Sequence, residues 1–286
     1  MKVIVLGASG LIGSYMFNEL SKDFETIGTI RKSKKDHENI DLFKSDKIID
    51  NIDILNFDDL IKLLKILKPN VIINCIGVTK RKISENVLDV IKINSIFPHE
   101  LAKWGSYNYA KIIHFSTDCV FNGLEGNYNE KSITNAFDIY GKTKALGEIQ
   151  YENSLTIRSS FIGRELFDKT ELLEWVISNN GEKIKGFKKT MYSGVSALFL
   201  SKWIKDIIIN HSKLNGLYQL SSDTPISKYD LLCLIRDCFE LNLEIIPENN
   251  KSHYPTLDSS KLKNKINFVI PSWEEMLVEL KNNKIN

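Results

Sequence analysis

Short apolar runs alternate with longer stretches of helical spacing through the first half of the chain. Residues 2–7 (KVIVLG), 25–30 (ETIGTI), 71–77 (VIINCIG) and 111–116 (KIIHFS) have strand length. Between them, residues 11–22 carry helical periodicity. Residues 58–67 repeat leucine at 60, 63, 64 and 67 and stop before Pro69, and a helix is expected from about Pro98 to Trp104. Apolar strands alternating with helices predict a parallel sheet with helices on both faces. After residue 163 the pattern is less regular. Residues 172–180 and 195–209 read as helices, 216–222 (GLYQLSS) as a strand, 228–241 as an amphipathic helix, and a last helix follows Pro271. No internal repeat or low-complexity linker divides the chain.

The totals narrow the class. With 286 residues, 43% of them hydrophobic, the chain can build one large domain or two small ones. Lys plus Arg (38) nearly balances Asp plus Glu (36), which predicts neither a nucleic-acid surface nor an acidic tail. No apolar run is long enough to span a membrane, and the N-terminus lacks the pattern of a signal peptide. Cys75, Cys119, Cys233 and Cys238 form no CxxC pair and have no histidine at zinc spacing, so we expect no metal and reduced thiols in a cytosolic protein. Cys75 and Cys233 sit in apolar runs and are expected in the core.

The first strand runs straight into Gly7-Ala8-Ser9-Gly10-Leu11-Ile12-Gly13 and then a helix. Gly7 permits the tight turn, Gly10 lets backbone approach a pyrophosphate, and Gly13 allows the helix to pack on the sheet. The helix start supplies free N–H groups. The spacing is G-x-x-G-x-x-G, and the strand before and helix after make it a candidate dinucleotide loop. The second strand ends in TIRKSKK, with no acidic residue to hold a ribose 2′-hydroxyl. Arg31, Lys32, Lys34 and Lys35 can meet a 2′-phosphate instead, so NADP(H) is expected over NAD(H). Asp53 and Ile54 lie where adenine contacts are expected.

Tyr140 and Lys144 in DIYGKTKALGE share one helix face. An ammonium beside a phenol favours the phenolate and lowers its pKa. Such a tyrosine can give a proton to an alkoxide or take one from an alcohol. The strand ending in Ser116-Thr117 supplies hydroxyls for the same site.

GASGLIG (7–13), NCIG (74–77), Asn94 in KIN, STDCVFNG (116–123), YGKTKALGE (140–148), RSSFIG (158–163) and LDSSKL (257–262) together resemble the extended short-chain dehydrogenases/reductases. The nearest branch is that of the dTDP-4-dehydrorhamnose reductase-like nucleotide-sugar enzymes. The resemblance implies an α/β fold: a Rossmann-like doubly wound parallel sheet with a smaller C-terminal α/β substrate domain. Residues 1–163, with 191–220 returning, would form the first domain, and 164–190 with 221–286 the second. It implies that Thr117 holds a sugar carbonyl or hydroxyl, Tyr140 is the general acid, Lys144 binds the nicotinamide ribose and tunes Tyr140, and Asn94 supports the proton relay. Cys75, Ile76, Gly77 and Arg158 would border the cofactor. The implied activity is NADPH-dependent reduction of a nucleotide-linked 4-keto sugar for surface polysaccharide, in a cytoplasmic homodimer without nucleic-acid or membrane partners.

Departures from the branch bear on the substrate. Cys119 stands where rhamnose-type reductases tend to carry an aromatic residue, and Phe161 near their Trp. Sugar 4,6-dehydratases have Glu at the Cys119 position, so dehydration is not expected. Epimerase-reductases of the GDP-fucose synthase type carry a cysteine there but pair it with a histidine, and no histidine lies between residues 160 and 200. Cys119 is therefore expected to shape the pocket, with Asp118 bonding a sugar hydroxyl or the backbone. Arg164, Lys188 and Lys189 are candidates for a substrate diphosphate, and Tyr192 and Ser193 for sugar or nucleotide contacts. Two alternatives remain open: an epimerase-reductase or 4-epimerase, and a regulatory subunit that binds NADP without turnover.

Overall fold

The computed structural model describes residues 1–37, 40–83, 86–167 and 169–283. Six strands, β1 (Lys2–Leu6), β2 (Glu25–Thr29), β3 (Ile48–Ile49), β4 (Val71–Asn74), β5 (Lys111–Ser116) and β6 (Ser154–Arg158), and a seventh at Gly216–Gln219 form one sheet. Every pairing in it is parallel. Gly216–Gln219 forms the edge beside β6, then come β5, β4, β1, β2 and β3. Strand order reverses between β1 and β4, which opens a crevice at their carboxyl ends.

Both faces of the sheet are covered. Helices α1 (Leu11–Leu20), α2 (Phe57–Leu67), α3 (Val87–Ile91), α4 (Phe97–Tyr107), α5 (Ile139–Leu146), α6 (Leu172–Ser178), α7 (Ala197–Asn210) and α8 (Lys228–Phe239) follow in chain order. Val3 and Val5 face Tyr15, Met16 and Leu20 of α1 and Ile204 and Ile207 of α7. Ile4 and Leu6 face Leu60 and Leu64 of α2 and Phe97 and Leu101 of α4. A strand buried on both sides favours apolar residues on both faces, and β1 therefore reads as a nearly unbroken run. The core on the α1 side continues into the C-terminal region through Leu173 of α6, Leu231 and Ile235 of α8, and Met276 and Leu277 of the last helix, Trp273–Asn282.

Three departures from the sequence pattern place the site. The run 71–77 stops being strand at Asn74, so Cys75–Gly77 turn out of the sheet. The helix expected near Pro98 begins at Val87, and its turn Lys92–Ile96 is π-helical. Pro98 has no N–H to give to the Asn94 carbonyl, so a regular α turn is already broken there. β6 has no apolar signature because Ser154, Thr156 and Arg158 alternate through it, yet all five residues are buried. Their polar groups are largely bonded inside: Thr156 to the Ile149 backbone and Arg158 to Glu148.

Candidate active site

A cavity of about 520 Å³ opens at the carboxyl ends of β1, β4 and β5. Its first wall is the glycine turn. Gly7 holds φ +80, and a Cβ on Gly13 would stand 2.0 Å from the Gly7 carbonyl oxygen, so that turn closes only around glycine. Gly10 begins α1 in extended conformation with no side-chain cap, which leaves first-turn N–H groups free for an anion. Gly10, Leu11 and Ile12 line the cavity, while Ser9 is half-buried beside them.

The second wall is the turn after β4. Cys75, Ile76 and Gly77 line the cavity, and burial raises the Cys75 thiol pKa. Asn74 Oδ1 accepts the Ile76 N–H at 3.1 Å. From the π turn, Asn94 Oδ1 accepts the Val78 N–H at 2.8 Å and its Nδ2 donates to the Val78 carbonyl at 3.0 Å and Thr143 at 3.3 Å. Asn94 thus pins the 75–79 turn to α5. A widened turn aiming one amide between two elements is a common use of π geometry.

The third wall carries Thr117, Cys119, Tyr140 and Lys144. Thr117 Oγ1 donates to Asp118 at 2.9 Å and accepts the Cys119 N–H at 3.1 Å. A Cβ on Gly141 would stand 2.2 Å from the Cys119 carbonyl oxygen, so glycine after Tyr140 lets α5 lie directly on that turn. Tyr140 thereby meets the Thr117 side chain. Lys144 is buried and its Nζ donates to the Phe115 carbonyl at 2.6 Å. Burial lowers its pKa to about 8, with Glu148 opposing.

One expectation about charge is corrected. The Tyr140 phenol lies above its ordinary value, because burial dominates and the Cys119 and Asp118 side chains add to it, while Thr117 pulls the other way. Lys144 points at the strand carbonyl, so the phenol keeps its proton at neutral pH. Cys119 behaves likewise: burial, then the Asp118 charge, push its thiol up to about 12. It is a neutral wall group.

Other expected site residues lie elsewhere. Arg158 does not border the cavity: it is 3% exposed and grips Glu148 through Nε and Nη2, each at 2.7 Å, while Ser159, Ser160, Phe161 and Ile162 line the wall after it. Arg164 points at Glu174 (2.5 Å) and Lys188 at the Tyr229 ring (5.1 Å), so neither lines the cavity. Asp118 is buried behind Thr117. Tyr192 lines the cavity with Phe161. Arg31 and Lys32 are exposed just beyond the end of β2, whereas Lys34 folds back onto the Ile48 carbonyl. Asp53 accepts the Leu55 N–H, and Ile54 is buried against the α2 side of the sheet.

Sequence reasoning missed Arg81, Glu171 and Lys228, all of which line the cavity, and Glu165 lines it from the candidate substrate segment GREL (163–166). Lys228 follows Ser227, whose side chain caps α8 by accepting the Asp230 N–H, and that capping pattern was its only local signal. Glu148 was missed as the carboxylate that accepts from both Arg158 and Ser116 Oγ (2.6 Å).

A parallel sheet of this order, a glycine turn after its first strand and a Thr–Tyr–Lys group beyond its fifth define the extended short-chain dehydrogenase/reductase class. Within it, the chain belongs to the family of the RmlD substrate binding domain, whose model matches residues 1–285. The dTDP-4-dehydrorhamnose reductase of Aggregatibacter actinomycetemcomitans is 28% identical over 63% of this chain and 69% of its own. Methionine adenosyltransferase 2 subunit beta of Xenopus tropicalis is 24% identical over 60% of this chain, and the match spans only 57% of that protein. Among solved structures, dTDP-4-dehydrorhamnose reductase of Bacillus anthracis in complex with NADP superposes with TM-score 0.81 at 22% identity, covering 98% of each chain.

Proposed function

We propose that the protein is an NADPH-dependent reductase of a nucleotide-linked 4-keto sugar. The observation that carries the reading is the grouping of Thr117, Tyr140 and Lys144 on one cavity wall, with the uncapped start of α1 on another. Gly10–Ile12 would hold the cofactor diphosphate, and the exposed Arg31 and Lys32 its 2′-phosphate. Bound NADPH supplies the hydride. Thr117 and Tyr140 would hold the carbonyl oxygen, and Tyr140 would pass its proton to that oxygen as the ketone becomes an alcohol. A phenol that stays protonated at neutral pH suits this direction. The buried Lys144 ammonium would steady the phenolate left behind. In the same proposal residues 164–190 and 221–286 build the sugar side, and a cytosolic dimer feeds surface polysaccharide.

A second reading has its own support. Several curated relatives are methionine adenosyltransferase 2 beta subunits, so a non-catalytic NADP-binding subunit is the rival. An epimerase-reductase needs a proton carrier at Cys119, and a thiol pushed up to about 12 is a poor one. The test is NADPH with a panel of 4-keto-6-deoxy nucleotide sugars in heavy water, read by mass spectrometry. Reduction without carbon-bound solvent deuterium is expected. Tyr140→Phe should lower kcat/KM on the order of 10²–10⁴-fold. A Tyr140→Phe variant that reduces sugars within about threefold of wild type would sink the catalytic assignment. Tight NADPH binding with no sugar reduced would favour the subunit.

A further inference from the structure

The cations expected to meet a substrate anion, Arg164 and Lys188, lie outside the cavity. Two others line it, the half-buried Lys228 and the exposed Arg81. Lys228 lines the wall that also carries Tyr192, with its Nζ 5.4 Å from the centroid of that ring. Arg81 lines the cavity from the turn Lys80–Lys82. Among the described residues no carboxylate forms an ion pair with either. The neighbouring Lys80 is already held by Asp138 at 2.5 Å.

The charges around Lys228 do not neutralise it. Asp118 acts on it from the turn after β5 and offsets only part of the burial, and Arg81 and Lys251 add positive charge. Asp118 already accepts the Thr117 hydroxyl. His253 reaches the same corner, where Asp118, Lys251, Lys228 and Lys80 all act on it. Of the cavity glutamates, Glu165 accepts the Glu171 N–H at 2.6 Å, and Glu171 acts on Tyr140 and Tyr192, while neither is among the charges that act on Lys228. Burial holds the Lys228 ammonium below its ordinary value. A half-buried cation that no carboxylate pairs is costly, and a ligand that brings negative charge relieves that cost.

We propose that Lys228, with Arg81, forms an anion site in the substrate half of the cavity and receives an oxyanion of the substrate, either the diphosphate of a nucleotide sugar or a carboxylate on its sugar ring. The substrate identity rests on the reductase reading, but the site can be tested without turnover. Asp118 and Cys119 lie beside both Thr117 and Lys228, so the anion would sit next to the reacting sugar and fix its register.

The experiment is calorimetric titration of the NADP-saturated protein with UDP, dTDP, UDP-glucose and UDP-glucuronate, in low and high salt. Wild type, Lys228→Met, Lys228→Arg and the control Lys188→Met are compared. We expect wild type to bind at least one probe, Lys228→Met to bind it about tenfold or more weakly, and Lys228→Arg to stay within about threefold. Lys188→Met should match wild type. Equal losses for UDP-glucose and UDP-glucuronate identify the diphosphate as the partner. A loss confined to UDP-glucuronate identifies the sugar carboxylate. The proposal is overturned if Lys228→Met and wild type agree within about twofold for every probe, or if wild type binds none at about 5 mM. Lys228→Arg guards against misfolding of the Met variant. Probe binding that depends on Lys228, without reduction of any 4-keto sugar, leaves the anion site standing and removes the reductase reading. Sugar reduction indifferent to Lys228→Met does the reverse.

Discussion

Glu148→Ala is the sharpest test of how the turn after β5 is held. The Glu148 and Arg158 side chains are 7% and 3% exposed. Glu148 receives Arg158 Nε and Nη2 at 2.7 Å each and Ser116 Oγ at 2.6 Å, and Arg158 also lies 5.0 Å over the Phe121 ring. Alanine removes all three hydrogen bonds and leaves a guanidinium buried without its counter-charge. Breaking one side of such a pair costs about 3–5 kcal/mol. At about 2–4 °C per kcal/mol for a chain approaching this size, the melting temperature should fall on the order of 6–20 °C. Urea unfolding followed by circular dichroism measures the loss directly. The double variant Glu148→Leu/Arg158→Met removes the stranded charge and should recover most of it. If Glu148→Ala costs less than about 1 kcal/mol, or the double variant is worse than the single, the buried-charge reasoning is wrong. Any folded Glu148→Ala should also lose activity, since Ser116 precedes Thr117 and Glu148 supports the charge of Lys144.

The Lys144 pKa of about 8 predicts that kcat/KM for NADPH falls as pH rises through that value, because the ammonium is the working form; a plateau reaching pH 9.5 or so would contradict it. The same group acts on stability with opposite slope. The unfolded lysine keeps its proton to 10.5 and the folded one loses it near 8, so the penalty of burying the ammonium is full below about 8 and is relieved between the two values. Urea midpoints of wild type should therefore rise relative to Lys144→Met across that window. The double variant Arg31→Ala/Lys32→Ala should raise the KM for NADPH about tenfold and leave that for NADH nearly unchanged; equal effects on both would place the 2′-phosphate elsewhere. Cys119→Ser should keep reduction within about threefold with no carbon-bound solvent deuterium in the product, since the thiol is neutral at working pH; a larger loss would make the sulfur a participant.

The sheet was readable where burial on both faces coincides with a run of apolar residues. β1 and β5 stand where their runs stand, and Lys111–Ser116 matches residue for residue. β6 was not readable, because its alternating Ser154, Thr156 and Arg158 mimic an exposed strand. Only the folded chain supplies the partners that let those groups be buried: the Ile149 backbone and Glu148, both from the segment leading into β6. The π turn carrying Asn94 was equally hidden. Pro98 suggested a helix start, whereas the helix had begun at Val87.

In the site, local spacing located the groups but not their charge states. Tyr140 and Lys144 share a helix face, and spacing alone predicts an ammonium that pulls a phenol down. The outcome is set instead by where the ammonium points. The Phe115 carbonyl takes Lys144 Nζ at 2.6 Å, and that carbonyl belongs to a strand 29 residues earlier. With the ammonium so engaged and the phenol buried, desolvation decides the sign, and Tyr140 keeps its proton. The same logic separates Lys228 from Lys188. In the sequence Lys188 was the candidate for a substrate diphosphate and Lys228 only the start of an amphipathic helix, and the packing of the α8 start against the cavity reverses that order. Charge is set here by desolvation, a property of the assembled walls, so the retained proton of Tyr140 and the setting of Lys228 follow from packing that the sequence around each does not show.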